Sequence, residues 1–425
     1  MGEPQMIEQR PQPEGQQPPQ LPDQQTIPSI GGVDPSDRLL WSSQLKKAAY
    51  FPLFSAPHPS LPNIPLFSQG NPHGLVGMKI NQQMHRSEVG VGSFVDAGLP
   101  LATTRVGQAV ADMDIDWRLI PDDFIANPGV FPPPTELDSS RSQRFATYGL
   151  CFRWKDREGS TLRCFGAGRT FPSVVGGQAQ LRLCAVVEIL EGSGRLSGVQ
   201  GCGVFNGSIE SLDDLALNVV LRIMDPAKRL RTEKALSPLR SILVPDPTAT
   251  LLVFLGEPDP QNPITLEMAS DGHITGACVH ELLRRVDIDF DIETSQGMRS
   301  KTSEGEVVGL LSFRLKIDST DRRIPTPFQT SDALFTFFDP EGRTIGTLNA
   351  NVVEGRSFQA EVEGVPPPII RLAGFGPLLG GSGVFSDVSG MLAINGISGI
   401  SARTPSILYV LRVSDPDGRF RCACS

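Results

Sequence analysis

The feature of this sequence that most constrains its fold is a long internal repeat. Residues 192–207 read GSGRLSGVQGCGVFNG and residues 381–396 read GSGVFSDVSGMLAING, so half of the aligned positions are identical. Further along, residues 221–226 (LRIMDP) return as residues 411–416 (LRVSDP). A spacing of about 190 residues is far too long for a solenoid repeat, and it indicates two copies of a whole domain.

Around these matches, apolar and polar residues alternate with the period of two that is typical of half-buried strands. In residues 145–154 one predicted face carries Ala146, Tyr148, Leu150, Phe152 and Trp154. Residues 311–317 alternate in the same way, and Gly, Pro and Asp turns separate the runs. Short helical turns are predicted only at 211–215, 237–243 and 278–285. Many short strands favour closed antiparallel barrels, which leave no exposed edge. The sequence therefore predicts an all-β fold of two tandem antiparallel β-barrels related by internal duplication.

The predicted domain boundaries follow changes in composition. Residues 1–38 are rich in Gln, Pro and Glu with little to bury, which predicts a disordered tail. Residues 39–74 alternate prolines with large apolar groups, which predicts an extended strap lying on a barrel, across the two copies or over an opening. The first barrel copy is placed at 75–235 and the second at 245–420.

Composition limits the class of partner and the compartment. The net charge is −9 and no run of Lys or Arg is present, so neither nucleic acid nor an anionic membrane surface is an expected partner. The first residues lack the pattern of a secretory signal, and no apolar run reaches the length of a membrane span, which favours a cytoplasmic protein. The seven cysteines have no CxxC spacing and are expected to be reduced core residues. No cofactor and no metal are expected, and the oligomeric state stays open.

The glycine segment at 192–201 is not a dinucleotide-binding loop, because such a loop opens a helix and a β-type run follows here. The pattern Gly-Ser-Gly-x-Leu/Phe-x-x-Val-x-Gly resembles the Gly-Thr-Gly-x-Phe-x-Gly-Ala-x-Gly segment of allene oxide cyclase and dirigent-type barrels. The resemblance covers about 35 residues of each copy, up to the closing Leu-Arg-x-x-Asp-Pro strand, and Asp387 stands where those families usually have glycine. It implies eight-stranded antiparallel barrels with an apolar cavity, used for cofactor-free cyclisation or for holding a reactive intermediate.

The sequence contains no recognisable catalytic triad, and the five histidines lack the spacing of metal ligands. The candidate binding residues are therefore aromatic and polar side chains that could face a barrel lumen. Those on apolar strand faces are Tyr148, Trp154 and Tyr409, and those without a clear match in the other copy are Arg182, Glu188, Asn349 and Asn351. Arg222 and Arg412 occur in both copies, which favours a structural role.

Four functions are weighed against these patterns. The leading hypothesis is a cofactor-independent cyclase or isomerase acting on an apolar small molecule of natural-product type, because such chemistry needs mainly a dry, shaped cavity with one or two hydrogen-bond donors. The alternatives are a non-catalytic carrier of an apolar ligand and a structural or assembly protein. A metal-dependent hydrolase is the weakest hypothesis, since no ligand cluster is evident. The catalytic residues are not assigned by the sequence.

Overall fold

A computed structural model describes residues 48–91, 102–124, 130–175, 177–209, 211, 215–234, 236, 244–245, 249–293, 297–317, 325–360, 369–399, 406–414 and 419–420. In these residues the chain is built from β-strands, with one 3₁₀ turn at Gly194–Leu196 and no α-helix. The all-β prediction is confirmed. The predicted tail at 1–38 and the predicted helical turn at 237–243 lie outside the described residues.

Eight antiparallel strands close into a barrel, here called the first ring. They are β1 (Ala48–Pro57), β3 (Leu75–Val91), β4 (Ala102–Ile120), β5 (Gln143–Trp154), β6 (Thr161–Val175), β7 (Gln178–Gly192), β8 (Gly201–Ile209) and β9 (Leu215–Met224). Each strand pairs with the next, and β1 closes the ring by pairing with both β9 and β3. The short strand β2 (Ile64–Phe67) lies on β3 outside the ring. The prediction of a closed antiparallel barrel is thus confirmed.

The later strands pair in a second antiparallel circuit, here called the second ring. Their bounds are β10 (Val244–Pro245), β11 (Thr250–Pro258), β12 (Thr265–Met268), β13 (Ile274–Glu293), β14 (Gly297–Ile317), β15 (Thr326–Phe338), β16 (Thr344–Ala350), β17 (Glu354–Ala360), β18 (Ile369–Gly383), β19 (Gly390–Gly399) and β20 (Ser406–Val413). The pairing order is β11, β13, β14, β15, then β16 and β17 in succession, β18, β19, β20 and back to β11. Strand β12 lies on β13, and β10 pairs with β4 of the first ring.

Two sequence expectations differ from these strands. The range 39–74 was expected to be a strap, yet β1 lies within it and forms part of the ring wall, so the first ring begins before residue 75. The helical turn expected at 278–285 is wrong, because this segment belongs to β13. Its buried residues Val279, Glu281 and Leu283 alternate with less buried neighbours, which is the period of a strand.

Three large apolar cores and two small clusters arise from this arrangement in the described residues. The largest lie inside the first ring, inside the second ring, and where the outer faces of the rings meet. Alternation along β20 shows the division, because Tyr409 and Leu411 point into the second lumen whereas Leu408 and Val410 point to the contact between the rings. Strands at this contact are buried on both faces, so β9 is buried at every position.

The contact between the rings is reciprocal. Asn206 donates from Nδ2 to the carbonyl oxygen of Met391 at 3.0 Å, and Asn395 donates from Nδ2 to that of Cys202 at 2.8 Å. In the repeat, Asn206 aligns with Asn395 and Cys202 aligns with Met391. The same contact is therefore made in both directions, as at the two-fold interface of a symmetric dimer.

Candidate functional site

A β-bulge in β5 separates the aromatic residues that were expected to share one face. The register shifts between Thr147 and Leu150, and Gly149 takes a φ of 59°, a left-handed conformation that suits glycine. Tyr148 consequently packs with Ala146 in a small outer cluster, whereas the residues after the bulge face the lumen. The prediction that Tyr148 and Trp154 line one cavity is wrong, because the extra residue reverses the alternation.

Each of these two aromatic side chains is packed against other rings. Tyr148 lies 4.6 Å from Phe131 and 5.8 Å from Phe165, measured between ring centroids, and burial raises the pKa of its phenol. Trp154 lies in the first lumen with its ring centroid 5.7 Å from that of Phe51 and 6.4 Å from that of Phe290. Trp154 is therefore a core residue of the first ring.

Arg182 and Glu188 lie on β7 at the contact between the rings. Arg182 donates to Ser173 Oγ at 2.8 Å, to Ser389 Oγ at 3.1 Å and to Ser414 Oγ. Burial, reinforced by the charge of a neighbouring arginine, lowers the pKa of Arg182 to about 10. Glu188 accepts a hydrogen bond from Arg371 at 3.3 Å, and burial raises the pKa of its carboxyl group.

Strand register identifies a residue of the second ring that is equivalent to Arg182. The sequence had shown no clear match for Arg182 in the other copy. Leu183 pairs with Gly207 in the first ring, and Leu372 pairs with Gly396 in the second. Because Gly207 and Gly396 align in the repeat, Arg182 is equivalent to Arg371. Both arginines reach across to the other ring, since Arg371 donates to the carbonyl oxygen of Gly201 at 2.5 Å. Arg182 is thus placed as an interface residue.

The two asparagines expected to bind a ligand lie away from the second lumen. Asn349 is exposed on β16. Asn351 lies between β16 and β17, where its Oδ1 accepts a hydrogen bond from the backbone N–H of Ala333 at 3.0 Å. Asn351 therefore supports the break between these two strands.

Tyr409 is the one predicted residue that lies beside a buried ionisable group inside a lumen. Its hydroxyl donates to Glu281 Oε2 at 2.6 Å, and Glu281 is 1% exposed. Burial raises the pKa of Glu281 to about 7, and the hydrogen bond from Tyr409 partly opposes that rise. Within the described residues, Glu281 Oε1 has no hydrogen-bond partner. Among these residues the carboxyl group is therefore hydrogen-bonded through one oxygen only.

The neighbouring strand makes room for this pair. A Cβ atom on Gly256 of β11 would overlap Glu281 Oε2 and would lie 2.6 Å from Tyr409 Cε2. A side chain at position 256 would therefore displace Glu281 and Tyr409 from their present positions. Sequence reasoning missed Glu281 because its segment was predicted as a helical turn. The available signal was an acidic residue at a buried position of an alternating run, between Val279 and Leu283.

The first lumen carries an amide at the equivalent place. Gln82 pairs with Pro57 at the end of β1, as Glu281 pairs with Pro258 at the end of β11. Gln82 is fully buried, and neither its Oε1 nor its Nε2 has a partner among the described residues. The two rings thus share a polar lumen position, and only the second has an ionisable group there.

In comparisons with known proteins, no family model, no curated protein and no solved structure matches this chain. The described part of the chain contains no helix long and apolar enough to cross a membrane. Over the same residues, His, Cys, Asp and Glu side chains form no group of three that could hold a metal ion. Functional assignment therefore depends on the geometry of Glu281 and Tyr409.

The raised pKa of Glu281 predicts a specific pH dependence of stability. Since the folded pKa is about 7 and the ordinary value is 4.5, the folded state holds a proton that the unfolded chain has lost at intermediate pH. The stabilisation is complete below pH 4.5 and is lost as pH rises through about 7, a change on the order of 3 kcal/mol.

Urea unfolding of the wild type and of Glu281→Gln, followed from about pH 4 to pH 8, measures this effect. The difference in unfolding free energy between the two proteins should change with pH, with the wild type losing stability relative to the variant. Parallel pH curves would show that Glu281 titrates normally.

Proposed function

We propose that this chain is a cofactor-independent isomerase or cyclase that moves a proton on an apolar small molecule inside the second ring. Glu281 is the acid and base, and Tyr409 is the hydrogen-bond donor that orients it. The observation that carries the proposal is the buried Glu281–Tyr409 pair, with a hydrogen bond of 2.6 Å and a carboxyl pKa of about 7. A group with a pKa near the working pH is the most effective proton-transfer catalyst.

The geometry supports different roles for the two carboxyl oxygens of Glu281. The hydroxyl of Tyr409 is hydrogen-bonded to Glu281 Oε2, so Oε1 is the atom that would take a proton from a substrate carbon. The electron pair of the broken C–H bond shifts into the substrate, and the carboxylic acid then returns its proton to a different carbon. Protons and electrons balance without an oxidant or a reductant, and the products are an isomerised or cyclised substrate and the original carboxylate.

The surroundings of the pair favour an apolar substrate. Phe335 packs edge-on against Tyr409, with ring centroids 5.6 Å apart, and Phe254 and Phe337 are fully buried in the same core. Low polarity strengthens the Glu281–Tyr409 hydrogen bond and excludes water from the carboxyl group. The apolar ligand and cytoplasmic residence expected from the sequence belong to this proposal.

The same proposal includes an ancestry by tandem duplication. Its support is the similar pairing order of the two rings, in which β16 and β17 together take the place of β6. The reciprocal contacts of Asn206 and Asn395 and the shared lumen position of Gln82 and Glu281 support it further. Duplication followed by divergence gives a reason for an acid in only one lumen. The resemblance of the glycine segment to allene oxide cyclase and dirigent-type barrels suggests the kind of single barrel that was duplicated.

Proton abstraction from 5-nitrobenzisoxazole, a neutral aromatic probe, tests the assigned base without knowledge of the natural substrate. Glu281→Gln should lower the rate by at least about a hundredfold, because general-base catalysis by one side chain contributes on that order. Tyr409→Phe should retain activity and shift the midpoint of the pH–rate profile upward, since the hydrogen bond that lowers the pKa of Glu281 is lost.

Glu188→Gln is the matched control, because Glu188 is a partly buried carboxylate at the contact between the rings. It should leave the rate unchanged. If Glu281→Gln still binds the probe and reacts as fast as the wild type, the isomerase proposal fails. Probe binding without turnover in the wild type would favour a carrier.

A further inference from the structure

A pocket of about 540 Å³ lies outside both lumens, between the two rings, and is called the junction pocket here. Its apolar floor is formed by Ala48, Tyr50, Leu255, Val286 and Leu408. Most of the polar lining comes from the segment 228–234 that follows β9 and from the start of β14, which are called the two rims here. Volumes of this size suit drug-sized ligands.

Backbone hydrogen bonds hold the two rims in place. Ser300 of β14 donates its backbone N–H to the carbonyl oxygen of Leu230 at 2.6 Å, and Thr232 donates to the carbonyl oxygen of Ser300 at 3.0 Å. Ser300 Oγ donates to the carbonyl oxygen of Tyr50 at 2.6 Å. The pocket is therefore pre-formed, and its walls come from both rings.

The charge of the lining differs from that of the whole protein. The lining contains Lys228, Arg231 and Lys234 against Glu233 and Glu304, an excess of one positive charge in a chain whose net charge is −9. All three cations lie on the 228–234 rim, whereas Glu304 lies on the β14 rim. The pocket thus has a cationic side above an apolar floor.

The two lysines are the groups best placed to accept an anion. Arg231 is tied to the buried Asp225, with Nε and Oδ2 3.5 Å apart. Lys228 lies 3.5 Å from Glu233, but both side chains are mostly exposed, and exposed ion pairs of this kind contribute little. An incoming anion can therefore recruit Lys228 together with Lys234.

We propose that the junction pocket binds a small organic acid with an apolar body. The body lies on the floor formed around Tyr50 and Leu408, and the acidic group lies against Lys228 and Lys234. Since both rings contribute walls, an occupied pocket stabilises their contact in addition to binding a ligand.

A pair of fluorescent probes tests the proposal on the full chain. The probes are 8-anilinonaphthalene-1-sulfonate, an anion with an apolar body, and N-phenyl-1-naphthylamine, which has the same aromatic body without the charge. The double variant Lys228→Gln, Lys234→Gln should weaken binding of the sulfonate by about tenfold and should change binding of the amine less than about twofold. Lys316→Gln, which removes an exposed lysine elsewhere on β14, should change neither.

The variant Thr302→Trp provides a second test of the proposal, because a large side chain on the β14 rim fills the junction pocket. It should weaken binding of both probes while the melting temperature stays near that of the wild type. Unchanged binding in Thr302→Trp, or equal effects of the double lysine variant on the two probes, would overturn the proposal. Glu281→Gln should leave both affinities unchanged, so failure here and failure of the proposed catalysis are distinguishable.

Discussion

Replacing Arg222 by leucine is expected to lower the free energy of unfolding by about 3 kcal/mol, because hydrogen bonds from a buried charge are lost and their acceptors stay buried. Arg222 is 1% exposed, and it donates to the carbonyl oxygens of Asn395 at 2.9 Å and Ser406 at 2.8 Å. It also donates to Ser406 Oγ at 3.0 Å. All three acceptors belong to the other ring, so the substitution should weaken the contact between the rings.

Urea unfolding followed by circular dichroism measures the effect, and a single transition in the wild type should broaden or split in the variant. Arg412→Leu should have a comparable cost, since Arg412 is the repeat equivalent of Arg222, is 2% exposed and donates to Asn218 Oδ1 at 3.1 Å. Arg157→Leu, at an exposed position, is the control and should change stability by less than about 0.5 kcal/mol. A near-neutral Arg222→Leu would contradict the stabilising role assigned to this arginine at the contact between the rings.

Truncating Trp154 to alanine is expected to cost about 3 to 5 kcal/mol, the range for removing a large aromatic side chain from a packed core. Trp154 is 3% exposed, and its neighbours Phe51 and Phe290 meet it edge to face. Phe290 comes from β13 of the second ring, so the cavity left by Trp154 would also weaken the contact between the rings.

The matched variant is Trp154→Phe, which keeps an aromatic ring and should recover more than half of the loss. Thermal unfolding followed by circular dichroism ranks the three proteins. A cost below about 1 kcal/mol for Trp154→Ala would contradict a filled lumen and would restore the sequence-based hypothesis that this residue lines a cavity.

Regular alternation made the strands easy to predict from the sequence. The run from Leu311 to Ile317 is a strand in the structure, and so is the glycine-rich run after residue 200. The period of two is a local property, because adjacent side chains of an extended chain must point to opposite faces. Where alternation was interrupted by prolines, as in β1, the sequence suggested a strap and gave no indication that the segment joins the ring wall.

The candidate site was only partly predictable. Tyr409 was found because its strand alternates without interruption, and Tyr148 was misplaced because one extra residue at Gly149 reverses the faces of β5. Arg182 and Glu188 were noted as residues without a match in the other copy, and in the structure both lie on β7 at the contact with the other ring. The neighbours of a strand decide which of its faces points into the lumen and which face meets the other ring.

The sequence by itself determined the strand content, the absence of a metal-ligand or nucleotide-binding motif, and the repeat that aligns Asn206 with Asn395. These features depend on residue type and on spacing along the chain. Only the tertiary structure decided that Glu281 lies beside Tyr409, residues 128 positions apart in the chain. Ring closure brings β13 and β20 to either side of β11, and burial between them raises the pKa of the carboxyl group. Desolvation and register are properties of the closed sheet, which no single strand possesses.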